Sequence, residues 1–109
     1  MIFIETTFFT RHIAGLGAEE QLRGLQNMLL ANPNSGDVVP GLDGLRKIRM
    51  PLPGRGKRGS ARVMYLFFML AGKIVFLTVY TKNDFDDLPP DMRKAVKVKI
   101  KEIRKEFDK

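Results

Sequence analysis

Two long apolar runs, ARVMYLFFML (residues 61–70) and KIVFLTVYTK (residues 73–82), are separated by nothing more than Ala71 and Gly72. Both are rich in the β-branched and aromatic side chains that strands favour, and the turn between them is tight, so the pair reads as an antiparallel hairpin. The chain has 109 residues, 44% of them hydrophobic. That length suffices for one compact core and is too short for two. Residues 1–109 are therefore expected to form a single domain built around this hairpin.

The other elements follow from local pattern. IFIE (2–5) reads as a short strand, and TTFFTRHIAGLG (6–17) as a brief helix stopped by Gly15 and Gly17. AEEQLRGLQNMLLANP (18–33) places Leu22, Leu25 and Leu29 at helical spacing, with acids in its first turn and Asn32-Pro33 as its stop. NSGDVVPGLDG (34–44) is rich in turn formers and leads into a strand, LRKIRM (45–50). Within LPPDMRKAVKVKIKEIRKEF (88–107), VKVKIK alternates like a strand, yet Met92, Val96, Ile100, Ile103 and Phe107 recur at steps of four and three. The span of that stripe and the prolines at its start favour a helix, with the intervening lysines as its solvated face. The predicted order is β-α-α-β-β-β-α, an α+β chain.

There are no cysteines, which removes disulfides, thiolate nucleophiles and sulfur-ligated zinc and fits a reduced, cytoplasmic setting. No apolar run approaches the roughly 20 residues of a spanning helix, and MIFIETTFF lacks the form of a signal peptide. A soluble protein without a membrane partner is expected.

The formal charge is +7. Seven basic residues and no acid lie between Arg46 and Arg62, whereas the remaining 92 residues carry 12 basic and 12 acidic side chains. The whole excess thus sits in one segment. A concentrated patch of this kind suits a polyanion, nucleic acid first, with an acidic partner protein or a merely solvated loop as the other readings.

Strand parity arranges part of that charge. In LRKIRM, Lys47 and Arg49 share one face and Arg46 and Ile48 the other. With the hairpin turn centred on residue 71 or 72, Arg62 lies opposite Tyr80 or Lys82, and a roughly symmetric loop before it also sets Arg62 opposite Arg49. Directly opposed residues share a face, so Arg49, Arg62, Tyr80 and Lys82 are expected to converge at one end of the sheet, with Lys47 one step along. A one-residue slip would undo this.

Three cations and a tyrosine suit a phosphodiester: arginine grips phosphate oxygens, a cation neutralises a pentacoordinate transition state, and tyrosine stacks on a base or bonds to phosphate. The single histidine, His12, excludes a two-histidine ribonuclease mechanism and reads as a partly exposed structural residue. A lysine whose proton is disfavoured by neighbouring positive charges is then the remaining kind of general base. Asp84, Asp86 and Asp87 read as a helix-entry turn more naturally than as a magnesium site, and GRGKRGS (54–60) lacks the spacing of a phosphate-binding P-loop. No metal and no cofactor is expected.

The order of elements, the strand GLRKIRM, the loop GRGKRGSARVMY and the strand end LTVYTKND together resemble bacterial type II toxins of the RelE/ParE superfamily, closest to the HigB branch. The likeness covers nearly the whole chain and is strongest from Gly44 to Leu88. It implies a twisted antiparallel sheet with two N-terminal helices packed on one face and a C-terminal helix. It also implies a ribosome-dependent endoribonuclease that cuts messenger RNA in the A site, inhibits translation, and is held in check by a cognate antitoxin, a HigA-like helix-turn-helix protein. Under that resemblance Lys47 and Arg49 act around the scissile phosphate, and Arg62 stabilises the transition state. Lys82 matches the basic position after the last strand, and Tyr80 matches an aromatic that stacks on a base. Attack by the RNA 2′-hydroxyl without a metal is implied. Arg46, Arg55, Lys57 and Arg58 are expected to hold ribosomal RNA. Asn83 stands where RelE has an arginine and Leu88-Pro89 where it has a tyrosine, so Lys47, Lys57 and Lys82 all remain eligible as the base. The competing functions are a ParE-like gyrase inhibitor without nuclease activity and a non-catalytic RNA-binding domain.

Overall fold

In the computed structural model, residues 1–54, 59–82, 84 and 87–107 are described. Strand β1 (Ile2–Glu5) leads into α1 (Thr7–Leu16) and α2 (Glu19–Ala31); then come β2 (Asp37–Val38), β3 (Arg46–Pro51), β4 (Ser60–Phe68), β5 (Lys73–Thr81) and α3 (Pro90–Phe107). The five strands form one sheet in the order β1-β5-β4-β3-β2.

Local chemistry sets the helix ends. The Thr6 hydroxyl accepts from the Phe9 N–H at 3.1 Å to cap α1, and Gly17 ends it in a left-handed conformation (φ 62°) that glycine adopts without strain. Asn32 leaves α2 in an extended conformation just before Pro33. Pro90 occupies the first position of α3, where its missing N–H has no helical partner to lose. The tail is thus a helix throughout, and its stripe is buried as the spacing requires: Val96, Ile100 and Ile103 are inside, with Met92 and Phe107 half-buried against the core.

Two features differ from the sequence reading. The sheet is mixed: β2 to β5 run antiparallel, but β1 pairs in parallel with β5, Ile2 opposite Lys73 through Glu5 opposite Phe76. The α1–α2 pair carries the chain from the β1 edge to the far edge, and such a crossover permits parallel pairing where a hairpin does not. Strand β2 is the other addition, too short at two residues to leave an alternating pattern.

Both faces of the sheet are covered. On one, Met50, Ala61, Val63, Tyr65, Ile74 and Phe76 pack with Phe9 and Ile13 of α1 and Leu22, Leu25 and Leu29 of α2. On the other, Met64, Leu66, Phe68, Val75 and Leu77 pack with Val96, Ile100 and Ile103 of α3. That double cover is why β4 and β5 read as unbroken apolar runs. Among the described residues no helix is long and apolar enough to cross a membrane.

Candidate functional site

The site is built from cross-strand pairs. Arg49 of β3 lies opposite Arg62 of β4, and Arg62 lies opposite Tyr80 of β5, making a row of three on the α3 face. The next row on that face is Lys47, Met64 and Thr78. Arg49 is exposed, and Arg62 and Lys47 are half-buried. Lys82 is exposed in the turn after β5. That turn is fixed by Asp84, whose carboxylate accepts from the Thr81 N–H at 2.9 Å and from the Thr81 hydroxyl at 3.1 Å.

The face on which Tyr80 falls depends on one irregularity. Phe68 pairs with Lys73 and Tyr65 with Phe76, but Met64 pairs with Thr78, leaving Leu77 as a bulge. Continued without that extra residue, the register would set Arg62 against Val79 and send Tyr80 to the other face. The bulge restores the alignment expected from a turn centred on residue 71.

Arg62 is held from below. Its Nη1 donates to the Ser60 carbonyl and to the Ser60 hydroxyl, each at 3.1 Å, which restrains one nitrogen of the guanidinium and leaves the others for a ligand. Arg49 and Arg62 are like charges set directly across from one another, an arrangement that costs roughly 0.2–1 kcal/mol in a sheet. Among the described residues no carboxylate lies within ion-pair distance of either. Such a pair is suited to an anion with oxygens on both sides, as a phosphodiester has.

Tyr80 is only 3% exposed and belongs to the core cluster that holds Leu88. Its ring is therefore closed to a stacking base, contrary to the role implied by the resemblance, and it packs in the core beside Arg62's cross-strand position. Burial pushes its phenol above the ordinary tyrosine value, Asp87 adds to that rise, and Arg62 opposes it. The hydroxyl is neutral near pH 7. Asp87 also accepts from the Leu88 N–H at 2.8 Å, so both described acids of this segment serve turns. Among the described residues no group of three or more His, Cys, Asp or Glu side chains is arranged to hold a metal.

Arg46 does not join this site. Parity puts it on the opposite face, where its Nη1 donates to the Asn34 carbonyl at 3.2 Å and the Gly36 carbonyl at 2.7 Å, tying down the turn before β2. Its expected RNA contact is thus placed away from the arginine row, on the opposite face. Arg55, Lys57 and Arg58 lie outside the described residues, as do Asn83 and Asp86. His12 is exposed and stacks on Phe8 with ring centroids 4.2 Å apart. Ser60 and Asp87 are the residues that motif reading missed. A hydroxyl two positions before a strand arginine was the available sign for Ser60, whereas nothing in the sequence placed Asp87 beside Tyr80.

No family model matches the sequence.

Proposed function

We propose that the chain is the toxin of a type II toxin-antitoxin pair, a ribosome-dependent endoribonuclease that cuts messenger RNA in the A site. One observation carries the reading: Arg49 and Arg62 are adjacent, like-charged and without a described carboxylate neighbour. The resemblance of the surrounding strands to RelE/HigB toxins supplies the substrate. A phosphodiester bridging the two guanidinium groups removes their repulsion, and the extra negative charge of the pentacoordinate transition state strengthens both contacts.

In this reaction the 2′-oxygen forms a bond to phosphorus as the bond from phosphorus to the 5′-oxygen breaks. A 2′,3′-cyclic phosphate and a 5′-hydroxyl end result. The 2′-hydroxyl proton goes to a base, with Lys47 and Lys82 as the described candidates, and the departing 5′-oxygen takes a proton from water. Tyr80, neutral and buried, keeps the arginine row in place. A helix-turn-helix antitoxin is the proposed partner, and the cytoplasm the proposed compartment.

Primer extension on transcripts after induction tests this proposal. Codon-aligned ends that disappear when translation is blocked support it. Intact transcripts together with trapped gyrase overturn it in favour of the ParE-like reading, and intact transcripts with RNA binding alone leave a non-catalytic RNA-binding domain.

A further inference from the structure

Helix α3 carries seven basic and three acidic residues, a local excess masked by the even charge balance of the chain outside residues 46–62. Three of the seven are engaged. Arg93 donates to the Pro40 carbonyl at 2.8 Å; Arg104 donates to the Asp43 carbonyl at 2.6 Å and pairs with its carboxylate at 3.0 Å; Lys99 pairs with Glu102 at 3.6 Å. The other four, Lys94, Lys97, Lys101 and Lys105, are exposed. Among the described residues no carboxylate lies within ion-pair distance of any of them.

These four follow at steps of three, four and four, so they line one side of the helix, and at 1.5 Å per residue the row is about 16 Å long. Neighbouring lysines at such steps repel and weaken an isolated helix. A solvated face gains nothing from four successive lysines that an acid at one of the positions would not improve, whereas a polyanion turns every repulsion into a contact. At the start of the row, Lys94 and Lys97 together with Arg93 form the cationic wall of an open groove of about 410 Å³ bordered by Gly41 and Leu42.

The occupant can be argued from charge density and apolar content. Val98 is the one large apolar side chain exposed on the described helix, too little to anchor it in a lipid interface. Each strand of a nucleic-acid duplex carries about one charge per 3.4 Å of axis, so a row of this length has about five regularly spaced phosphates of one strand within its span, at least one for each lysine. The row is also on the correct side. Helix α3 packs on the sheet face that carries Lys47, Arg49 and Arg62, and Leu88, just before it, shares a cluster with Tyr80.

We propose that Lys94, Lys97, Lys101 and Lys105 form a second RNA-binding surface that takes the phosphate backbone of a folded, double-stranded RNA, while the Arg49–Arg62 pair holds the strand to be cut. This rests on the reading of the chain as an RNA-acting protein, though not on cleavage itself.

The test uses the full chain with Arg62→Ala, which keeps the probe intact, and a duplex RNA of about 20 base pairs followed by fluorescence anisotropy from about 50 to about 300 mM salt. Replacing all four lysines with glutamine, whose helix propensity is close to that of lysine, should leave the far-ultraviolet spectrum unchanged. The slope of log K against log salt should fall by about 3.6, as expected for four lost phosphate contacts on a duplex. An unchanged slope in a folded variant overturns the proposal, whatever the fate of the nuclease reading. Equal displacement of the duplex by polyglutamate at matched charge overturns it in favour of an acidic protein partner. Conversely, a lost slope with no cleavage activity in the parent chain removes the nuclease and keeps the surface.

Discussion

Tyr65→Phe should destabilise the protein well beyond the loss of one oxygen atom. Tyr65 is fully buried at the centre of β4, and its hydroxyl donates to the Pro33 carbonyl at 2.8 Å while accepting from the Gly36 N–H at 2.9 Å. Both partners belong to the turn that feeds β2. Phenylalanine keeps the ring and its contact with Phe76, so no cavity opens, but the buried Gly36 N–H loses its acceptor. A buried donor left unsatisfied costs about 1–3 kcal/mol, and about 2 kcal/mol is expected here. For a domain of this size that lowers Tm by roughly 8–16 °C. Urea unfolding should show a lower midpoint with an unchanged slope, since the native state exposes no additional surface. Gly36→Ala provides the coupled test: its added Cβ would stand 2.9 Å from both Cε1 and Oη of Tyr65 and 3.1 Å from the Lys47 carbonyl. Overpacking of this kind costs about 1–3 kcal/mol, and the double variant should cost less than the sum because the hydroxyl clash is gone. A Tyr65→Phe protein that melts within about 2 °C of the parent would refute the claim that this hydroxyl clamps the turn.

Burial raises both Tyr65 and Tyr80 above their ordinary value of 10.0. The fold therefore favours the neutral phenols. Their contribution is complete below pH 10 and is lost as pH climbs through the higher folded values, so stability should fall on the alkaline side, less steeply in Tyr65→Phe. Ile100→Ala removes a 1% exposed anchor of α3 and should cost about 2–5 kcal/mol in urea unfolding, with lesser losses if α3 settles into the gap. Ser60→Ala should lower the cleavage rate several-fold without weakening ribosome binding, because it removes one of the two bonds that hold the Arg62 guanidinium and leaves only that to the Ser60 carbonyl; Ser60→Thr should restore the rate, and rescue is what a purely structural role would not give.

How much of this was legible varied with the range of the signal. The hairpin and α3 were visible because their periodicities are long, and the parity of Lys47 and Arg49 needed only six residues of strand. The parallel pairing of β1 is set by where two helices return the chain, which no local pattern encodes. Tyr80 fell opposite Arg62 as expected, but only because Leu77 bulges out of register; the symmetric turn assumed from Ala71-Gly72 spans Met69 to Gly72 instead. Charge was legible as a total and misleading as a map. The nine acids and five bases that lie outside both residues 46–62 and α3 offset in the sum the excess of four that α3 carries, and Arg46, counted with the basic patch, is tied to backbone carbonyls on the other face.

Single-turnover cleavage of messenger RNA on programmed ribosomes, comparing the parent chain with Arg62→Ala, tests the central claim most directly. Arg62 is half-buried, and among the described residues its side chain hydrogen-bonds to Ser60, so the variant should fold and bind ribosomes as the parent does. Losing a cation that stabilises developing charge should slow the chemical step by about 10²–10³-fold. Cleavage by Arg62→Ala at the parental rate would contradict the assignment of the Arg49–Arg62 row as the reacting centre.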